Sequence, residues 1–127
     1  MRKTLIMALS MFVVMVFGVT MAAAAEKSKA MTMTMDGYII DTKCATANKD
    51  KLAEFAPTHP KECAMLPDCH KSGYNIYSEG KMYKFDKKSS DKVYKFLEKA
   101  DSKLHVKAEV VHEKGDMVKL VSITNAE

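Results

Sequence analysis

A mainly β domain, five short strands closing into a barrel with one helix, is the fold class this sequence predicts. Three observations carry it. Apolar residues alternate with polar ones along several short segments, the period of a half-buried strand. Two pairs of such segments flank the turn-forming stretches SEGK and EKGD, as hairpins do. One segment, SSDKVYKFLEKAD, instead repeats Val93, Phe96, Leu97 and Ala100 at helical spacing.

The chain starts with a segment that belongs to none of these. Arg2 and Lys3 precede the apolar run LIMALSMFVVMVFGV, and small residues follow in TMAAAAEK. This is the layout of a secretory signal peptide, residues 1–25, with cleavage expected between Ala25 and Glu26. The run is shorter than the roughly 20 residues a spanning helix needs, so a cleaved leader is preferred to a membrane anchor. The expected mature chain, 26–127, is one domain in the periplasm or outside the cell, with no membrane attachment after cleavage.

Within it, MTMTMDGYIID reads as the first strand, with Met31, Met33 and Met35 on one face and Gly37 marking a bulge or bend. Residues 42–72 then break the alternation and form an insertion. ATANKDKLAEFA has weak helical character up to Pro57, and HPKECAMLPDCH is too polar and proline-marked to predict a regular element. GYNIYSEGKMYKFD is the first hairpin. The helix follows, with Ser89 or Ser90 expected as N-cap. KLHVKAEVVHEKGDMVKLVSI is the second hairpin, with Leu104, Val106, Ala108 and Val110 inward and His105 outward. Five strands with a helix between the third and fourth is the order of the OB-fold barrel, whose first connecting loop often builds a binding surface.

Composition narrows the function. Without Arg2 and Lys3 the formal charge is +2, and the mature chain contains no Arg, the residue best suited to bidentate phosphate and base recognition. Nucleic-acid binding is not expected. The chain presents no acid/base carboxylate pair, no Ser-His-Asp arrangement, no Gly-rich phosphate loop and no His-x-x-x-His, so the protein is not expected to be an enzyme.

The chemistry concentrates in the insertion. Cys44, His59, Cys63, Cys69 and His70 are five thiolate or imidazole groups, ligands suited to zinc or copper, although no Cys-x-x-Cys pair marks a zinc finger. Three cysteines in an oxidising compartment also predict one disulfide. Cys44–Cys63, Cys44–Cys69 and Cys63–Cys69 all remain open, the first two preferred because they tie distant parts of the loop together. Such a bond is worth about 2–4 kcal/mol and leaves one thiol, a route to a dimer. Covalent haem is a remote third reading: Cys63 to His70 ends in Cys-His, with five residues between the cysteines where the attachment motif has two. Met31, Met33 and Met35 are read as core rather than as soft-metal ligands.

MDGYIIDTKC, DCHKSGYNIYSEGKMYKFD and the closing hairpin resemble a group of small exported bacterial proteins. Their pattern runs Gly-Tyr-hydrophobic-hydrophobic-Asp-x-x-Cys, then a Cys-bearing stretch into Gly-Tyr and a Lys-x-Tyr-x-Phe-Asp strand. The resemblance extends from about Asp36 onward and implies an OB-like domain. A looser resemblance connects the chain to exported OB-fold proteins linked to stress tolerance. Neither implies an activity. The expectation is a protein that binds a zinc or copper ion, or a metal-bearing partner, through the insertion. The alternative is a disulfide-stapled module that recognises a protein or oligomeric ligand without metal.

Overall fold

A computed structural model describes residues 31–127; the expected signal segment lies outside the described residues. The alternating residues form five strands: β1 (Thr32–Asp41), β2 (Tyr74–Ser78), β3 (Lys81–Phe85), β4 (His105–His112) and β5 (Met117–Asn125). They close into a ring in the order β1-β2-β3-β5-β4. All neighbours run antiparallel except β3 and β5, which meet in parallel only at Lys84–Met117 and Phe85–Val118. Ring closure thus rests on a short β3–β5 seam of two residue pairs.

β1 makes the ring possible by changing partners along its length. Its first part pairs with β4 from Thr32 to Tyr38, and its last part pairs with β2 from Tyr38 to Asp41. Gly37 lies just before the change of partner. A Cβ there would run into the carbonyl oxygen of Tyr77, so only glycine lets the two strands approach. The strand passes through Gly37 with its register unbroken, and the expected bulge is found instead in β4, between Glu109 and Val110. The first hairpin turns on Glu79 and Gly80, both at positive φ, as a two-residue connection between right-twisted strands demands.

The inward residues of every strand meet in one core: Met35 and Ile39, Tyr74 and Ile76, Phe85, Val106, Ala108 and Val110, Val118 and Leu120. Of the Met stripe, Met35 is buried and Met33 packs against the core, while Met31 is 85% exposed. A helix, α5 (Lys87–Leu97), adds Val93, Phe96 and Leu97 to this core. Its cap is Asp86, whose side chain accepts the Ser89 N–H at 2.8 Å, and not Ser89 or Ser90. Those two serines fall inside the helix and face the sheet. Ser89 Oγ accepts the Leu120 N–H at 2.8 Å and Ser90 Oγ accepts the Tyr74 N–H at 3.1 Å, fastening α5 to β5 and β2. His105, expected in solvent, pairs with Asp36 at 2.7 Å and stacks on Tyr38.

Between β1 and β2 lies the expected Cys/His-bearing helical insertion, with more helix than the one short stretch read from ATANKDKLAEFA. It forms four short helices: α1 (Thr42–Ala47), α2 (Leu52–Phe55), α3 (Lys61–Ala64) and α4 (Pro67–Ser72), with single 3₁₀ turns before and after α2. The prolines that argued against regular structure start helices here. Pro60 precedes α3, and Pro67 opens α4, where its missing N–H costs nothing. Leu52 and Phe55 lie over Tyr38, Ile40, Tyr77 and Met82 and make a second, smaller core on the outer face of β1–β3. Ala64 and Met65 join the main core instead. No helix among the described residues is long and apolar enough to cross a membrane.

Candidate metal centre

Asp41 ends β1 and begins α1. Its Oδ1 accepts the Cys44 N–H at 2.8 Å, the bond of an N-cap aspartate to the third helical residue. This cap fixes Cys44 beside the carboxylate. Cys69 arrives from α4, which is stitched to α1 through backbone and hydroxyl groups. The Thr42 N–H donates to the Gly73 carbonyl at 2.9 Å, and the Lys43 N–H donates to Ser72 Oγ at 3.1 Å. Ser72 Oγ in turn donates to the Cys69 carbonyl at 2.6 Å. Gly73, at φ 85°, ends α4 and turns the chain into β2.

The result is a cluster of one carboxylate and two thiols, Asp41, Cys44 and Cys69, with one donor atom from each within 4.8 Å of the others. Two thiolates on one tetrahedral zinc stand about 3.8 Å apart, given Zn–S bonds near 2.3 Å, so small side-chain rotations would close the gap. All three cysteines are free thiols.

His59 stands behind the carboxylate. Its side chain and that of Asp41 are wholly buried, with His59 Nε2 at 3.1 Å from Asp41 Oδ2. The distance suits a hydrogen bond but the alignment does not. Asp41 Oδ2 and both ring nitrogens of His59 therefore lack a hydrogen-bond partner within the protein. Three such atoms in one place are a costly arrangement, since each buried unsatisfied group costs about 1–3 kcal/mol. Phe55 meets the imidazole edge-on at 5.0 Å between ring centres.

Charge is unevenly held in the cluster. Burial pushes the Asp41 carboxyl up, but the His59 side chain, the Cys44 N–H and the two thiols outweigh it and hold the group below its usual range. Burial and the neighbouring Asp41 charge push the Cys44 thiol up to about 12, and the same causes raise Cys69. Burial and the Asp41 charge also raise the Tyr74 phenol. At neutral pH the centre is one carboxylate facing two protonated thiols.

Of the five residues read as ligands, Cys44 and Cys69 come together, and His59 reaches them through Asp41. Cys63, half-buried on α3, and His70 lie outside the cluster. His70 follows Cys69 directly but faces elsewhere. Its ring stacks on Tyr94 at 3.7 Å, and Nε2 lies 3.9 Å from Asp91. Cys69 and His70, the Cys-His end of the haem-like segment, thus have different neighbours. Asp41 joins the cluster although it is neither a thiol nor an imidazole. Its signal was the spacing Asp-Thr-Lys-Cys at a strand end, an aspartate placed to cap the helix that carries Cys44.

Comparison with protein-family models, with curated proteins and with solved structures finds no match for this chain.

Proposed function

We propose that the protein binds a thiophilic divalent cation, zinc being the best match, through Asp41, Cys44 and Cys69, with His59 orienting Asp41 or moving in as a fourth ligand. The observation that carries this reading is the buried Asp41–His59 pair, with three unpartnered polar atoms beside two converging thiols. A cation there would accept the free carboxylate lone pairs. Two thiolates and a carboxylate carry three negative charges, which suit a divalent ion better than Cu(I). Ligating carboxylates are commonly held by an outer-shell hydrogen-bond partner, a role that His59 is placed to take. The ring order β1-β2-β3-β5-β4, with α5 following β3, supports an OB-like barrel as the scaffold. The amino-terminal leader pattern supports export to the periplasm or beyond. We read the protein as a binding protein for the ion, or for a metal-bearing partner, and not as an enzyme.

One observation favours the alternative. Cys44 and Cys69 are near enough to become a disulfide after modest rotation, which would make the insertion a stapled interaction module and leave Cys63 as the unpaired thiol. The outer face of β1–β3, a usual ligand surface of OB folds, is however covered here by Leu52 and Phe55.

Titration of the reduced protein with Co(II), a spectroscopic substitute for zinc, separates the readings. Thiolate-to-metal charge-transfer absorption should saturate at one equivalent and disappear in Cys69→Ser. Cys63→Ser and His70→Ala should titrate like the parent. If Cys69→Ser binds the ion as the parent does, the metal reading is wrong. An intact mass lighter than the dithiol form by two hydrogens, with no ion taken up after isolation from the native compartment, would favour the staple.

A further inference from the structure

The two thiols of the centre differ in how an external reagent meets them. Cys44, on α1, is half-buried, whereas Cys69, on α4, is 4% exposed. Their sulfurs lie within 4.8 Å of each other. A zinc ion holds two sulfurs about 3.8 Å apart, and a disulfide bonds them at about 2.05 Å. The pair stands close to both arrangements and can adopt only one at a time.

The bonds around the pair leave that choice to the sulfurs. The residue before each cysteine pairs across the α1–α4 junction, with Lys43 Nζ 3.6 Å from Asp68 Oδ2. The Thr42 and Lys43 N–H groups hold the same junction through the backbone. None of these bonds involves a thiol, so both helices can keep their places while the side chains change partner. What changes is the donor set. Zinc takes thiolates, and a disulfide sulfur carries no charge to offer it. Oxidation would leave Asp41 and His59, two donors where structural zinc uses four, and Cys63 lies outside the cluster.

We propose that Cys44 and Cys69 make the centre a thiol–disulfide switch that releases its ion on oxidation, with Cys44 as the entry thiol and Cys69 as the resolving thiol. The inference rests on the metal reading above and adds its regulation. The oxidant is a small external disulfide. The Cys44 thiolate attacks one of its sulfurs, a mixed disulfide forms on Cys44, and one small thiolate leaves. The Cys69 thiolate then attacks Cys44 Sγ, the internal S–S bond forms, and the second small thiolate leaves. Two electrons pass from the protein sulfurs to the external disulfide, two protons neutralise the departing thiolates, and the ion is freed. Cys69 is too buried to meet the reagent first and near enough to Cys44 to finish the exchange.

The test uses the Cys63→Ser chain, reduced and loaded with zinc, and 2-hydroxyethyl disulfide at pH 8. A chromogenic chelator reads released zinc, and intact mass after acid quench reads the sulfurs. Zinc release should keep pace with the loss of two hydrogens, and dithiothreitol should restore uptake. With Cys69→Ser added, the mass should stop at one mercaptoethanol adduct on Cys44. With Cys44→Ser added, the adduct on Cys69 should form about tenfold more slowly or less. The order of the thiols is also read on the metal-free chain, which separates it from zinc binding. A reduced chain that takes up no zinc before oxidant is added would refute the metal reading and the switch with it. A chain that takes up zinc but keeps it in the disulfide form, or forms no internal disulfide, would overturn the switch alone. So would an adduct that forms on Cys69 as fast as on Cys44.

Discussion

If the centre binds zinc as proposed, its protonation should make that affinity steeply dependent on pH, and the slope can be worked from the structure. Asp41 is held below the ordinary carboxylate range, so above about pH 5 it is ionised and contributes no proton. Cys44 is pushed up to about 12 and Cys69 is raised above its ordinary value, so between pH 6 and 8 both thiols carry protons. A metal takes them as thiolates, and each ion bound releases two protons. The logarithm of the apparent affinity should therefore rise by about two for each unit of pH, or about 10⁴-fold between pH 6 and pH 8.

Zinc competition against a chromophoric chelator, corrected for the chelator's own protonation, measures that slope. Calorimetry in buffers of different ionisation enthalpy counts the protons directly. A slope near one would mean that a single thiol ligates, and a slope near zero that neither does. Either result refutes the three-donor centre.

Three further outcomes are expected. Without metal, stability should fall as pH rises from about 8 to 9.5, because unfolded thiols ionise near 8.5 while Cys44 and Cys69 keep their protons when folded; thermal melts of the parent and of Cys44→Ser/Cys69→Ser should show the loss in the parent alone. Tyr74→Phe removes the buried hydroxyl that donates to the Ala64 carbonyl at 2.7 Å and should cost about 1–3 kcal/mol in urea unfolding; an unchanged midpoint would mean that this bond does not hold α3 down. Gly37→Ala should cost about 1–3 kcal/mol or more by forcing β1 away from Tyr77, and an alanine variant as stable as the parent would show that the strands can separate there freely.

The strands were legible because their faces meet different surroundings. Leu104, Val106, Ala108 and Val110 alternate in sequence and are all buried, and Val93, Phe96 and Leu97 are buried at helical spacing. The insertion was far less legible. Its helices are four to six residues long, too short to show a period, and two of them, α3 and α4, begin at prolines that also mark turns. The cap of α5 was misplaced for a related reason. Serine and aspartate both cap helices, and only the sheet facing Ser89 and Ser90 shows that their hydroxyls are already committed. At the centre, Cys44–Cys69 is one of the two pairings the sequence prefers, but nothing local chooses between Cys63 and Cys69 as the neighbour of Cys44. His70 looked equivalent to Cys69 by adjacency, yet neighbours on a helix point roughly 100° apart, and α4 divides them between two surroundings.

That division gives the insertion its physical logic. Helices this short do not persist alone in water, so tertiary anchors must hold α1 to α4 in place. Several are polar: the buried bond of Tyr74 to Ala64, Thr42 and Ser72 across the α1–α4 junction, and Lys61 Nζ on the Lys99 and Ser102 carbonyls at 2.7 and 3.1 Å. Asp41 differs from these because its hydrogen bonding is incomplete. It ends β1, caps α1 and faces Cys69 from α4, so whatever completes its coordination joins the sheet to both ends of the insertion. An ion held there would stabilise the fold in proportion to its affinity. Its removal should loosen α1 and α4 before the ring, because the ring's core draws on Val93, Phe96 and Leu97 of α5 and does not contain the cluster. Amide exchange with and without zinc should therefore change first at Cys44 and Cys69 and least at Val106 and Val118.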